Sequence, residues 1–422
     1  MASSAMGWSE LLPELKELIL DRLTSLSDHL RLASVCSSWR SSVVTIITSN
    51  RCPRLRLLPF LMLPPADKEK DNTTKIRPFF NLSSRKKINE LHIPEIHDKW
   101  CCGSSQGWLL TVDGFTKEIQ LFNPVSEGHI HLPSLSEFSF PPREHPPEPP
   151  TNTSMHYIHK AVLSSNPCTT PDYVVVVIVT NQKWLAYYKP GADKWTTIVS
   201  EKCCHFEDAI FYKQGLLLYA VSNHGPVVTY DFSSETPIER EITFRPPAGR
   251  GCDMYYLVES LGELLLVLRH FRWLDDHEPD GHYDDDDYKD IVVHPPFKFK
   301  TIKFWVRKLD ESKREWIPIQ SIGDDRILFL GNSSSISLSA QEFPECPCMG
   351  NSIYFNDDYD YGPFEPPSEG YHDTGVFNFE TRRVESFLGS FPPHLTTCTF
   401  WLTPEPIGSV STNFICKLFD IG

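Results

Sequence analysis

Tyr173-Val-Val-Val-Val-Ile-Val-Thr180, Trp184-Leu-Ala-Tyr-Tyr188 and Lys189-Pro-Gly-Ala-Asp-Lys-Trp195 follow one another with no helical periodicity between them. The first is a continuous apolar run, the second is short and aromatic, and the third is a polar turn that ends on a tryptophan. The aliphatic run Val174 to Val179 is far too short to cross a bilayer. Its β-branched side chains, bounded by turn residues, read as a buried strand. The same grammar returns later. Tyr255–Ser260 leads into Gly262–His270 and Lys303–Leu309, and Leu309-Asp-Glu-Ser-Lys-Arg-Glu-Trp316 repeats the polar turn before a tryptophan.

Outward from these copies the chain from about residue 100 is made of imperfect repeats of one unit. Gly107-Trp-Leu-Leu-Thr-Val112 and Ile119-Gln-Leu-Phe-Asn-Pro124 come before. Ala209–Tyr212, Gly215–Val221 and Val227–Phe232 lie between. Ile327–Leu330, Ser335–Ser339, Ser352–Phe355 and Gly375–Phe379 follow. Three- and four-stranded units at a period of about 40–50 residues fit a β-propeller of six or seven blades better than a sandwich. Consecutive blades bury each other's faces, which accounts for the lack of helical patterns.

The first 50 residues differ in kind. Leu15, Leu18, Ile19, Leu23 and Leu26 form a helical stripe, and Pro13 suits a first-turn position where its missing N–H is no loss. Ser25-Leu26-Ser27-Asp28 reads as a stop and a capping box, restarting a helix through Leu30, Leu32, Ala33 and Val35. A third helix carries Trp39, Val43, Val44 and Ile47. Leu12, Leu20 and Leu30 remain on other faces. Three helices in about 40 residues are marginal alone, and surplus apolar surface on so small a unit predicts a protein interface. The expected division is therefore residues 1–50, helical; 51–98, linker and start of the propeller; and 99–422, propeller.

Composition narrows the function. The net charge of −15 opposes a nucleic acid partner, and eight Asp, one Glu and one Lys between Asp275 and Asp290 give that stretch −8. Asp276, Glu278, Asp280, Gly281 and Asp287 match an EF-hand count, but Pro279 interrupts it, so a solvated acidic loop is expected. Pro141–Pro150, with six prolines, reads as an extended excursion. No Cys-x-x-Cys pair occurs among the 12 cysteines, and Met1 to Trp8 lack both regions of a secretory leader. Reduced thiols, no metal, no cofactor and no membrane are expected, in the cytoplasm or nucleus. Gly103-Ser104-Ser105-Gln106-Gly107 matches the Gly-x-Ser-x-Gly nucleophile elbow, which needs a strand-to-helix turn. A strand follows here, so a hairpin turn is the expected reading.

Leu12-Pro13-Glu14-Leu15, Ile19-Leu20, Arg22-Leu23, Asp28, Leu30-Arg31 and Val35-Cys36-Ser37-Ser38-Trp39-Arg40 resemble the F-box, in order and spacing. Gly103-Ser-Ser-Gln-Gly-Trp-Leu, Leu121-Phe-Asn-Pro124 with Leu132-Pro133, Tyr256-Leu-Val-Glu-Ser260 with Gly262-Glu-Leu-Leu-Leu-Val267, Leu328-Phe-Leu-Gly331 and Asn351-Ser-Ile-Tyr-Phe355 also occur in order. Together they are similar to a plant family of F-box proteins with a C-terminal propeller of the kinase-inhibitor type. The acidic and proline-rich insertions depart from it. The resemblance implies a Skp1-type adaptor bound by the F-box, a cullin reached through it, and a protein target of unknown identity held by the propeller. The implied adaptor anchors are Leu12, Pro13, Ile19, Leu23, Leu30, Val35 and Trp39, with Trp39 open between interface and core. The expected role is a non-catalytic substrate receptor of a ubiquitin ligase. The alternative is a binding or inhibitor protein acting through the propeller alone.

Overall fold

Turn chemistry sets the repeat. Asn123 Oδ1 accepts the N–H groups of Val125 (2.9 Å) and Ser126 (3.0 Å), and Glu127 turns left-handed (φ 59°) before the next strand. Asp310 Oδ1 does the same for Ser312 (3.0 Å) and Lys313 (3.1 Å), followed by Arg314 at φ 57°. Asn378 Oδ1 accepts from Glu380 and Thr381, both at 2.9 Å, followed by Arg382 at φ 55°. A short polar side chain that bonds its own backbone two residues on mimics a backbone turn. Each such turn joins the last two strands of a blade.

The computed structural model describes residues 7–23, 26–48, 58–63, 76–82, 88–96, 99–139, 157–179, 184–200, 205–213, 215–223, 226–243, 253–273, 299–343, 349–358, 373–386 and 399–402. They form three α-helices and six β-sheets, the blades of a propeller. The helices are α1 (Pro13–Leu20), α2 (Leu26–Val35) and α3 (Ser37–Thr48). Blade 1 joins Phe60–Met62, Ile76–Asn81 and Ile88–His92 to Phe400–Leu402, from the other end of the array. Blade 2 is Lys99–Ser105, Trp108–Asp113, Ile119–Asn123 and Gly128–Leu132. Blade 3 is Ile158–Leu163, Val175–Val179, Trp184–Tyr188 and Trp195–Ile198, with Phe138–Ser139 added in parallel. Blade 4 is Phe206–Phe211, Leu217–Ser222, Val227–Asp231 and Ile238–Thr243. Blade 5 is Asp253–Ser260, Glu263–Trp273, Phe299–Asp310 and Glu315–Ile319. In blade 6, Arg326–Leu330 pairs with Ile336–Ser339 and, in parallel, with Ser352–Phe355; Gly375–Asn378 and Arg383–Glu385 complete it.

The valine run behaves as its composition demands. Val175, Val177 and Val179 enter the core between blades 2 and 3, while Val174, Val176 and Ile178 enter the core between blades 3 and 4. Alternate side chains of a strand leave on opposite faces, so a strand covered on both faces is apolar throughout. Leu264, Leu266 and Leu268 face blade 4, and Leu265 and Val267 face blade 6, for the same reason. Trp195, at the end of the polar turn, is fully buried, stacks on Phe138 at 5.0 Å and donates Nε1–H to the Pro133 carbonyl at 2.8 Å.

The array begins at Phe60, within the stretch read as linker and start of the propeller, and three residues are enough for this strand because it is hydrogen-bonded on both sides. The described strand pairings are antiparallel apart from two, which are parallel. The helical core of Leu20, Ala33, Trp39, Val43 and Ile46 runs on into that of blades 1 and 2 as one apolar cluster.

Candidate functional site

In the helical unit, α1 opens on Pro13 at its first turn, and the Leu12 carbonyl accepts the N–H groups of Leu15 (3.0 Å) and Lys16 (3.1 Å). The side of α1 turned to α3 carries Leu20 and Lys16. The Lys16 stem lies against the domain core while its Nζ donates to the Ser9 carbonyl at 3.1 Å and to Ser38 Oγ, 5.8 Å from the centre of the Trp39 ring. A long cationic side chain can bury its stem in this way provided its head keeps acceptors. The opposite side of α1 presents Leu12, Leu15 and Leu18 to solvent at 61%, 44% and 55% exposure, and Val35 at the end of α2 is 64% exposed. Residues three apart share a helix face, so Leu15 and Leu18 form a row, and Leu12 precedes it at the N-cap.

The seven anchors therefore separate. Leu12, Pro13 and Val35 are exposed; Ile19 and Leu23 are half-buried against the helical core; Trp39 is buried within it. Leu30 lies in α2, but its side chain is outside the described residues, as is that of Ile47. Leu15 and Leu18, read from the sequence as core stripe, are exposed, and Leu20, read as surplus, is in the core. Periodicity finds an apolar stripe without saying which of two stripes faces inward. Trp39 decides it here by filling one side.

The propeller axis was not legible in advance. From Leu330 the chain crosses it: the Leu330 carbonyl accepts Trp401 Nε1–H at 2.9 Å, the Gly331 carbonyl accepts from Lys160 Nζ at 3.2 Å, and Ser334 N–H donates to the Ser104 carbonyl at 2.7 Å. Blades 1, 2 and 3 are thus tied to blade 6. A Cβ on Gly331 would lie 1.7 Å from Asn356 Oδ1, so no larger residue fits that crossing. Beneath it Lys160 and Asp208 form a buried ion pair at 2.7 Å, and Asp208 also accepts from Leu257 N–H at 2.9 Å. Burial pushes the Asp208 carboxyl up, against the pull of Lys160.

A second buried network lies between blades 5 and 6. Arg269 donates to Asp358 (2.7 Å), Asp373 (2.9 Å), Thr301 (2.7 Å) and the Asn356 carbonyl (2.9 Å). Tyr256 OH reaches both Asp358 oxygens, at 3.1 and 3.0 Å. Burial pushes the Asp358 carboxyl up to about 6, although Arg269 pulls the other way, and raises Asp373 and the Tyr256 hydroxyl for the same reason. These charges are engaged with one another, and their chemistry is to fasten blades together.

The Gly-x-Ser-x-Gly match is a β-hairpin. Gln106 (φ 52°) and Gly107 (φ 80°) make its two-residue turn, and Ser105 Oγ accepts the Leu163 N–H at 3.0 Å. The EF-hand count at 276–287, the proline-rich run 141–150, and Cys203, Cys204, Cys346 and Cys348 lie outside the described residues. Cys36 and Cys101 carry free thiols, and burial pushes that of Cys101 up.

A small helical unit with an apolar row on its surface, set before a six-bladed array of sheets, defines the class: a helical domain followed by a β-propeller. Residues 79–378 match the KIB1-4 beta-propeller family, and the chain belongs to that family. It is 26% identical to the F-box protein SKIP23 of Arabidopsis thaliana, over 96% of each chain. It is 25% identical to the putative F-box protein At5g55150 of the same plant, over 96% of this chain and 99% of that one. Among solved structures, the N-terminal domain of Nup159 aligns over 82% of this chain and 80% of that one, at 10% identity and a TM-score of 0.27.

Proposed function

We propose that this chain is the substrate-recognition subunit of a Skp1–cullin–F-box ubiquitin ligase. The observation that carries the reading is the set Leu12, Leu15 and Leu18, exposed on a unit whose core is already filled by Leu20, Trp39, Val43 and Ile46, with Val35 exposed at the end of α2. Three exposed leucines, two on one face of α1 and one at its N-cap, are a binding surface, since a small unit gains nothing by wetting them. The names of its relatives support a Skp1-type adaptor as what covers that surface. Trp39 then acts from behind, holding α1 and α3 in place, while Leu12 and Val35 supply contact. The chain performs no chemistry in this role: the propeller holds a target so that one of its lysines meets the conjugating enzyme carried by the cullin.

The test is co-purification of the full chain with a Skp1-type adaptor and a cullin. Leu12→Glu with Leu15→Glu places two charges in the apolar row without touching the core. Loss of a hot-spot pair costs about 2–4 kcal/mol, so the variant is expected to elute without adaptor while its far-ultraviolet circular dichroism is unchanged. Undiminished co-elution of the double variant removes this surface from the adaptor interface. Failure of the wild-type chain to bind any adaptor favours the ligase-independent binding protein instead.

A further inference from the structure

The middle hairpin of blade 5 is longer than its neighbours, Glu263–Trp273 paired with Phe299–Asp310, and it carries a cationic face in a chain of net charge −15. Cross-strand partners share a face, and the rows on this one read Arg272 with Lys300, His270 with Lys303, Leu268 with Trp305, and Leu266 with Arg307. Lys300, Lys303 and Arg272 are exposed, and Trp305 and Ile302 keep 37% and 40% of their surface in water. Lys303 Nζ sits 4.2 Å from the centre of the Trp305 ring, with the His270 ring 5.4 Å away on the other side of the row. Arg272, Lys300, Lys303 and Arg307 form no ion pair among the described residues, and Arg307 Nε is buried with no acceptor among them. Asp253 lies opposite His270 in register, and Asp373 is held by Thr301 and Arg269 beside these rows.

We propose that this face docks an extended acidic segment of a partner protein. Cations gathered round an exposed tryptophan and without an ion-pair partner among the described residues, on a chain whose other charge is mostly negative, fit an anionic ligand with an apolar residue. Successive rows are two residues apart, about 7 Å, which is also the spacing of every second side chain in an extended peptide. Acids at alternate positions therefore meet Lys300 and Lys303 in turn, and an aromatic residue next in the series meets Trp305. A nucleic acid fits less well, because four cations and one ring offer little against the repulsion of the whole chain. Identifying the partner as the ubiquitination target rests on the receptor reading above; the docking chemistry does not.

The experiment measures fluorescence polarisation of a labelled peptide, Glu-Ser-Glu-Ser-Phe-Ser-Glu, titrated with the full chain, with and without adaptor. Binding that weakens with added salt and falls by about tenfold or more in Lys300→Glu/Lys303→Glu and in Trp305→Ala supports the proposal. All three positions are on the surface, and unchanged thermal unfolding of the variants excludes a folding defect. Equal affinity in the charge-reversed variant overturns it, as does tighter binding of a single-stranded oligonucleotide of equal charge. The chain's own acidic stretch joins the two strands of the hairpin. A rise of about tenfold in peptide affinity on deleting 275–290 would make that stretch the occupant and overturn the assignment to a partner, whereas unchanged affinity supports it. Adaptor binding is read separately, so loss of the receptor role leaves this result standing.

Discussion

Arg269 shows what single residues contribute to this fold. It is fully buried and bonds two carboxylates from beyond its own strand, so it holds blade 5 against the segments that flank blade 6. Such a pair adds little net stability relative to an apolar replacement of both partners, but removing one partner strands the other. Arg269→Met leaves Asp358 and Asp373 buried without a counter-charge and is expected to cost about 3–5 kcal/mol in urea unfolding. A loss under about 1 kcal/mol would mean that water reaches the site. The same burial makes stability depend on pH. The Asp358 carboxyl, at about 6 in the fold, lies above its ordinary value of 3.8, so between those values the folded chain holds a proton that the unfolded chain has released. Stability from this group is therefore complete below about pH 4 and is lost as the pH rises through 6, on the order of 3 kcal/mol. Asp208 and Asp373 are pushed the same way by burial. Asp358→Asn removes the titration, and the stability difference between wild type and variant should shift against the wild type from pH 4 to 7. A constant difference would show that Asp358 ionises normally.

At the scale of elements, closure depends on three residues. Leu61 pairs with Phe80 on one side and with Trp401 on the other, and Phe60 and Met62 pair likewise. Leu61 and Trp401 are at most 1% exposed, and each buried side chain of this kind contributes about 1.5–3 kcal/mol, against about 5–15 kcal/mol for a whole domain. A chain starting at residue 76 lacks this strand and leaves Phe400–Leu402 without it; it is expected to aggregate or to unfold about 5 °C lower than a chain starting at residue 57, the shift that a few lost kcal/mol produce at this length. A chain starting at residue 57 keeps the strand. Equal unfolding temperatures for the two truncations would show that the ring closes without Phe60–Met62. This strand also marks where sequence reading stopped. The valine run, the two tryptophan turns and the three helices were legible because each repeats a strong local pattern. Phe60–Met62 has no period to show, since its place is fixed by partners 20 and 340 residues away. Lys160, Asp208, Arg269 and Asp358 were unreadable for a related reason: isolated charges, three in strands and one in the segment after a strand, look like surface residues until their partners arrive from other blades.

For the molecule as a whole, the question is whether the adaptor row and the propeller act in one process. The helical core is continuous with blades 1 and 2, so cutting the chain between them would expose apolar surface and confound the result. The cleaner comparison keeps all 422 residues and changes only Leu12 and Leu15, which lie outside that core. If the chain is a receptor, the Leu12→Glu/Leu15→Glu variant still binds its target through the propeller but no longer delivers it. Overproduced, it competes with intact receptor and lengthens the target's life. The Lys300→Glu/Lys303→Glu variant does the reverse, engaging the adaptor while leaving the target untouched, so it neither shortens nor shields the target's life. The measurement is target half-life at matched abundance of wild type and each variant. A receptor predicts the shortest half-life with wild type, the longest with the adaptor-row variant, and an intermediate value with the blade 5 variant. Equal half-lives for wild type and adaptor-row variant, with target binding intact in both, would mean that the propeller acts on its target by occupancy alone.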